Sequence, residues 1–68
     1  MKVYVTNRSY VKANKALLKT GEEFPINFNR VKSAYNIVKS DYNMSREGGF
    51  IIEFKSETDA IMFLLRFA

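Results

Sequence analysis

Arg8, Lys12, Lys15 and Lys19 recur at intervals of four, three and four residues. On a helix at about 100° per residue they fall within an arc of roughly 60°. Such a line of cations can track phosphates, each contact adding salt-sensitive affinity, and Tyr10 beside it could stack on a base. The same line would speed docking onto an acidic protein surface. Its plain alternative is a solvated helix face that keeps a small protein soluble. No acid interrupts the run: between Met1 and Thr20 the charges are Lys2, Arg8, Lys12, Lys15 and Lys19. Further along, Arg30, Lys32 and Lys39 balance Glu22, Glu23 and Asp41, and from Arg46 onward three cations meet four acids. The net charge of +4 therefore originates in the first third of the chain. Such asymmetry bears on partners rather than on fold.

Covalent chemistry has few candidates. The chain contains no His and no Cys, which removes the commonest general base, the commonest metal ligand, thiolate chemistry and any disulfide. Ser9 and Ser33 have no His to activate them and no Lys at a diagnostic spacing. Glu22 with Glu23, and Glu57 with Asp59, are paired carboxylates, but the second pair reads more simply as first-turn acids on a helix dipole. Gly48-Gly49 is a turn rather than a phosphate loop, and no P-loop or dinucleotide fingerprint occurs. No catalytic residue, metal or cofactor is expected.

The elements that must position the basic line are short. With 68 residues, 47% of them apolar, the chain has room for one compact domain spanning residues 1–68 and for a real core. No run approaches the roughly 18 apolar residues of a membrane span. Met1-Lys-Val-Tyr-Val5 begins a strand rather than a signal peptide. A soluble intracellular protein is expected, with no membrane partner.

Lys2 to Thr6 alternates as a strand, and Asn7 or Ser9 can cap the next element. That element, Tyr10 to Lys19, reads as a helix with Tyr10, Ala13 and Leu17 inward, stopped by Gly21. The segment Phe24 to Phe28 reads either as an edge strand, confined there by Pro25, or as a linker tucking two phenylalanines under the sheet. Arg30 to Tyr42, capped by Asn29, reads as a second helix with Val31, Ala34, Tyr35, Val38 and Tyr42 on one stripe. Tyr35 and Tyr42 then belong to core or rim rather than to a base-stacking platform. Asn43 to Gly49 is a turn. Phe50 to Phe54 is a buried strand, and Ser56 caps a closing helix with Asp59 at the third helical position.

The last stretch, Phe50 to Ala68, is the one on which the rest should pack, since Phe50, Phe54, Phe63 and Phe67 lie in it. Its helix is apolar around about 200°. A helix so wide is either wholly buried or leaves Ile61, Leu64 and Leu65 as an apolar face for a partner or a second copy. The expected architecture is α+β: a small sheet of two or three strands against about three helices. The order of elements resembles ferredoxin-like RNA-binding folds, although Phe50-Ile-Ile-Glu-Phe54 carries the aromatics of such a strand without its basic-glycine pattern.

The tail Phe54-Lys-Ser-Glu57-Thr-Asp59-Ala60-Ile-Met-Phe63-Leu-Leu65-Arg66-Phe67 resembles the ending F-x-x-E-x-D-A-x-x-F-x-L-R-[W/F] of short accessory proteins of T4-like tailed phages. The resemblance covers the C-terminal quarter, with Leu64 where those proteins often have Lys and Phe67 where many have Trp. It implies a phage product in a bacterial host cytoplasm, among proteins that bind host enzymes, defences or nucleic acids. Two functions are therefore expected to compete. One is a non-enzymatic protein that binds and inhibits or redirects a host protein. The other is an RNA- or DNA-binding module using Arg8, Tyr10, Lys12, Lys15 and Lys19.

Overall fold

The computed structural model describes residues 1–44 and 48–67. Its elements run in the order β1 (Lys2–Thr6), α1 (Asn7–Lys15), α2 (Phe28–Ala34), β2 (Ile37–Asn43), β3 (Gly49–Phe54) and α3 (Glu57–Phe67). The expected small α+β architecture is present: a three-stranded antiparallel sheet with three helices. The strand order is β1-β3-β2. Because β3 runs against both neighbours, β1 and β2 run parallel to each other with β3 between them. This is a split βαβ unit, closed by α3.

Side-chain alternation along the strands sorts the residues into two layers. Val5, Ile37, Ile52 and Phe54 point inward and meet Ala13 of α1, Val31 of α2, and Ala60, Phe63 and Phe67 of α3 in one buried cluster. The Phe63 ring lies 5.3 Å from Phe54 and 5.0 Å from Phe67. Tyr35 stands edge-on to Phe63 and Phe67 and donates its hydroxyl to the Ala13 carbonyl at 2.7 Å. Tyr42 meets Phe50 edge-on at 5.3 Å but stays exposed at the rim. The outer layer aligns Tyr4, Ile51 and Asp41 in one row and Lys2, Glu53 and Lys39 in the next.

Two expected elements differ. The helix expected over 30–42 runs only from Phe28 to Ala34, capped by Asn27 rather than Asn29: the Asn27 Oδ1 accepts the Asn29 N–H at 2.7 Å. Asn36 then takes a left-handed conformation, φ 55°, which asparagine tolerates and which commonly ends helices. The chain leaves as β2, so the third strand comes from Ile37–Asn43 and not from Phe24 to Phe28. The latter segment is not a strand, and its phenylalanines are not tucked away. Phe24 and Phe28 stay exposed, while Ile26 between them packs on the core.

The ends of α1 also differ. Thr6 caps it, accepting the Ser9 N–H at 3.2 Å, so the helix begins early and takes in Arg8. It closes at Lys15 through tightened turns, Leu17 N–H to Asn14 O and Leu18 N–H to Lys15 O, both 3.1 Å. Arg30 Nη2 donates to the Leu17 carbonyl at 3.1 Å and pairs with Glu22, fastening the exit. Gly21, at φ 87°, sits in the following turn, closed by Glu22 N–H to Lys19 O, and does not end the helix. Of the turn expected from Asn43 to Gly49, residues 45–47 lie outside the described residues; Gly48 has φ 72°.

Candidate protein-binding surface

Helical spacing on α1 turns Ala13 and Asn14 into the interior and sends Arg8, Lys12 and Lys15 outward, where all three are exposed. None of them is ion-paired among the described residues. Lys15 stands over the Phe24 ring, its Nζ 5.9 Å from the centroid, a geometry in which the ring face attracts the ammonium. Lys19 is exposed but lies beyond the helix, so it does not continue the ridge in register. The basic ridge thus consists of three residues on α1, with Lys19 on the loop after it.

Tyr10 is a correction. It does not stand beside the ridge as a stacking platform: its ring packs on Phe50 with centroids 4.3 Å apart. Burial pushes its hydroxyl pKa up, against a smaller opposite effect of its hydrogen bond with Asn14.

Asn14 was not among the expected site residues, yet it organises this side of the molecule. It is 1% exposed, and its Oδ1 accepts the Ile26 N–H at 3.1 Å. One amide group therefore fastens α1 to the loop that carries Phe24. The sequence signal is a polar residue four after Tyr10, inside an otherwise apolar helical arc.

On α3, the reading of a wholly buried helix does not hold. Ala60, Phe63 and Phe67 face the core, whereas Ile61 is 45% and Leu65 80% exposed. Leu64 is half-buried and packs against the core cluster. Met62, also exposed, extends the open side.

The two candidate surfaces, separate in the sequence, meet in space. Leu64 shares an open hollow of about 660 Å³ with Arg8, Ser9 and Lys12 of α1, Thr6 of β1 and Gly48. Arg8 and Lys12 line it from α1 and Leu64 lines it from α3. A smaller hollow of about 200 Å³ lies on the opposite side of α3, among Tyr35, Asn36, Asp59, Met62 and Arg66. Its carboxylate is already engaged: Asn36 Nδ2 donates to Asp59 Oδ1 at 2.9 Å and Ser56 Oγ to Oδ2 at 2.8 Å. These bonds hold Asp59 below the usual aspartate range, that from Asn36 contributing most. They serve the start of α3, where Ser56 Oγ in turn accepts the Asp59 N–H at 3.2 Å.

Comparison with known protein families, with characterised proteins and with solved structures gives no match. No helix among the described residues is long and apolar enough to cross a membrane. The functional reading rests on the chemistry of the surface itself.

Proposed function

We propose that this is a non-enzymatic phage accessory protein that acts in the cytoplasm of a bacterial host by binding a host protein and inhibiting or redirecting it. The observation that supports this reading is the joining of the basic ridge to the apolar face of α3 through one hollow, with Leu64, Arg8 and Lys12 as its walls. Protein interfaces combine an apolar centre with a charged rim, and cations at the rim accelerate encounter with an acidic partner. The tail's resemblance to T4-like phage proteins supplies the biological setting.

The nucleic-acid reading loses its aromatic support. Tyr10 is turned onto Phe50. The outer face of the sheet, where base-stacking rings sit in RNA-binding sheets, carries one aromatic, Tyr4, among Asp41, Ile51 and Glu53. Phe50 and Phe54 belong to the opposite face.

The test is recovery of a tagged copy from bacterial lysate with and without nuclease. The expected result is a host protein in stoichiometric amount that survives the nuclease. Recovery of nucleic acid, or of proteins that vanish on digestion, would overturn the reading in favour of a nucleic-acid-binding module.

A further inference from the structure

We infer that the furrow between α1 and α3 receives an acidic amphipathic helix of the partner, its apolar stripe on Ile61, Leu64 and Leu65 and its carboxylates toward Arg8 and Lys12. The inference rests on the protein-binding reading and names the element that is recognised.

Three observations select this occupant. The first is charge. The α1 wall presents Arg8 and Lys12, exposed and without an ion pair among the described residues, and the described residues that line the hollow they share with Leu64 include no carboxylate. The second is shape. Ile61 and Leu65 are four apart and Ile61 and Leu64 three apart, so the apolar wall is a pair of helical ridges, the pattern that another helix accepts in its grooves. Its length suits such a partner: α3 has 11 residues, about 16 Å of axis, or about three turns of a helix laid alongside. The third is the burial gradient across α3. Leu64 is half-buried at the seam, Ile61 is 45% exposed and Leu65 80%, so a helix resting on the seam would cover the side chains that this chain leaves open.

A second copy of this chain fits the furrow poorly. A second copy carries the same net charge of +4 and would approach the basic wall against that repulsion, where an acidic partner would be drawn to it. A nucleic acid would satisfy the cations but lay phosphates and sugars along Ile61 and Leu65, leaving that apolar face with no complement.

The experiment is an amide NMR titration of the full-length 15N-labelled protein with three synthetic helical peptides and one oligonucleotide. The first peptide carries Leu at positions i, i+3, i+4 and i+7 with Glu along one flank. The second has the same composition scrambled to break that spacing, and the third has Lys in place of Glu. The oligonucleotide is a single-stranded dT dodecamer. The patterned acidic peptide should move the amides of Arg8, Ser9, Lys12, Leu64 and Leu65. Its affinity should fall at least tenfold for Leu65→Asp and for Arg8→Glu combined with Lys12→Glu. Leu65 is mostly solvent-exposed, so Leu65→Asp should retain the parent circular dichroism spectrum and serves as the variant that keeps the test decisive. Equal binding of the scrambled peptide would reduce the furrow to charge attraction and overturn the proposal. So would shifts confined to other surfaces, or no binding. If the lysate partner survives nuclease and Leu65→Asp still captures it, protein binding stands and the furrow is refuted. If only the oligonucleotide binds, both readings fall together.

Discussion

Replacing Asn14 with Ala should destabilise the protein far more than its small size suggests. The side chain is 1% exposed and its Oδ1 accepts the Ile26 N–H at 3.1 Å. Truncation leaves that amide without its partner in a part-buried bond, a loss of about 1–3 kcal/mol. Tyr10 also loses its bond to the same side chain. A chain of this length has about 3–10 kcal/mol of stability in total. A loss near 2 kcal/mol, at about 4–8 °C per kcal/mol for a domain of this size, lowers Tm by roughly 8–16 °C.

Thermal unfolding by circular dichroism reads the global effect, and hydrogen exchange at the Ile26 amide reads the local one. In the parent protein that amide should be protected; in Asn14→Ala it should exchange much faster, together with the segment around Phe24. Asn27→Ala is the control, since Asn27 also bonds a backbone N–H but at an exposed cap. Its cost should stay near the usual capping value of about 1 kcal/mol. A Tm drop for Asn14→Ala of no more than about 3 °C, or an unprotected Ile26 amide in the parent, would refute the assignment of Asn14 as the tie between α1 and its loop.

Two further outcomes arise from close contacts and titration. A Cβ on Gly49 would stand 2.5 Å from the Val5 carbonyl oxygen and 2.8 Å from the Tyr4 hydroxyl, so Gly49→Ala should force β1 from β3 at a cost of about 1–3 kcal/mol. Gly21→Ala has nothing within 4 Å and meets only the positive-φ cost of about 1–2 kcal/mol; melting curves for Gly49→Ala no lower than those for Gly21→Ala would show that the two strands do not approach so closely. Asp59 is held below the usual aspartate range, first by Asn36 and then by Ser56. A depressed folded pKa stabilises the fold fully above the unfolded value of about 4, and the contribution fades as pH falls through the folded value. Asp59→Asn should therefore melt below the parent at neutral pH and converge with it in strong acid, and a gap independent of pH would remove the carboxylate from the account.

Where sequence pattern and structure part company, a specific residue is responsible. The stripe Val31, Ala34, Tyr35, Val38, Tyr42 has helical spacing, yet Ile37 is the buried residue and Val38 and Tyr42 are exposed. Asn36 breaks the helix, and a register shift between Ile37 and Lys39 places Ile37, Ser40 and Tyr42 on the inner face at uneven intervals. The bulge thus hides the two-residue period that would have announced a strand. β1, β3 and α3 were legible because nothing interrupts their periods. The basic ridge was legible for the same reason up to Lys15. Lys19 falls out of register because α1 closes at Lys15 through tightened turns, and Arg30, 13 residues beyond Leu17, then holds the Leu17 carbonyl, a contact that no local pattern encodes. Tyr10 has the type of a stacking residue, but its use depends on Phe50, far along the chain.

The width of the apolar arc on α3 was equally plain in the sequence, but its fate depends on what stands opposite. Three strands about 4.8 Å apart place the outer strand axes only about 10 Å from each other, roughly the width of one helix with its side chains. The inner face must already hold α1 against β3 and β1, and α2 against β2, while α3 touches β1, β3 and α1. Among the described residues no strand lies beyond β1 to continue the sheet beneath α3. The inner arc of α3 is therefore satisfied by Phe54, Tyr35 and the core, and the outer arc at Ile61 and Leu65 is left exposed among the described residues. Its exposure, 45% at Ile61 and 80% at Leu65, results from ending a split βαβ unit at three strands.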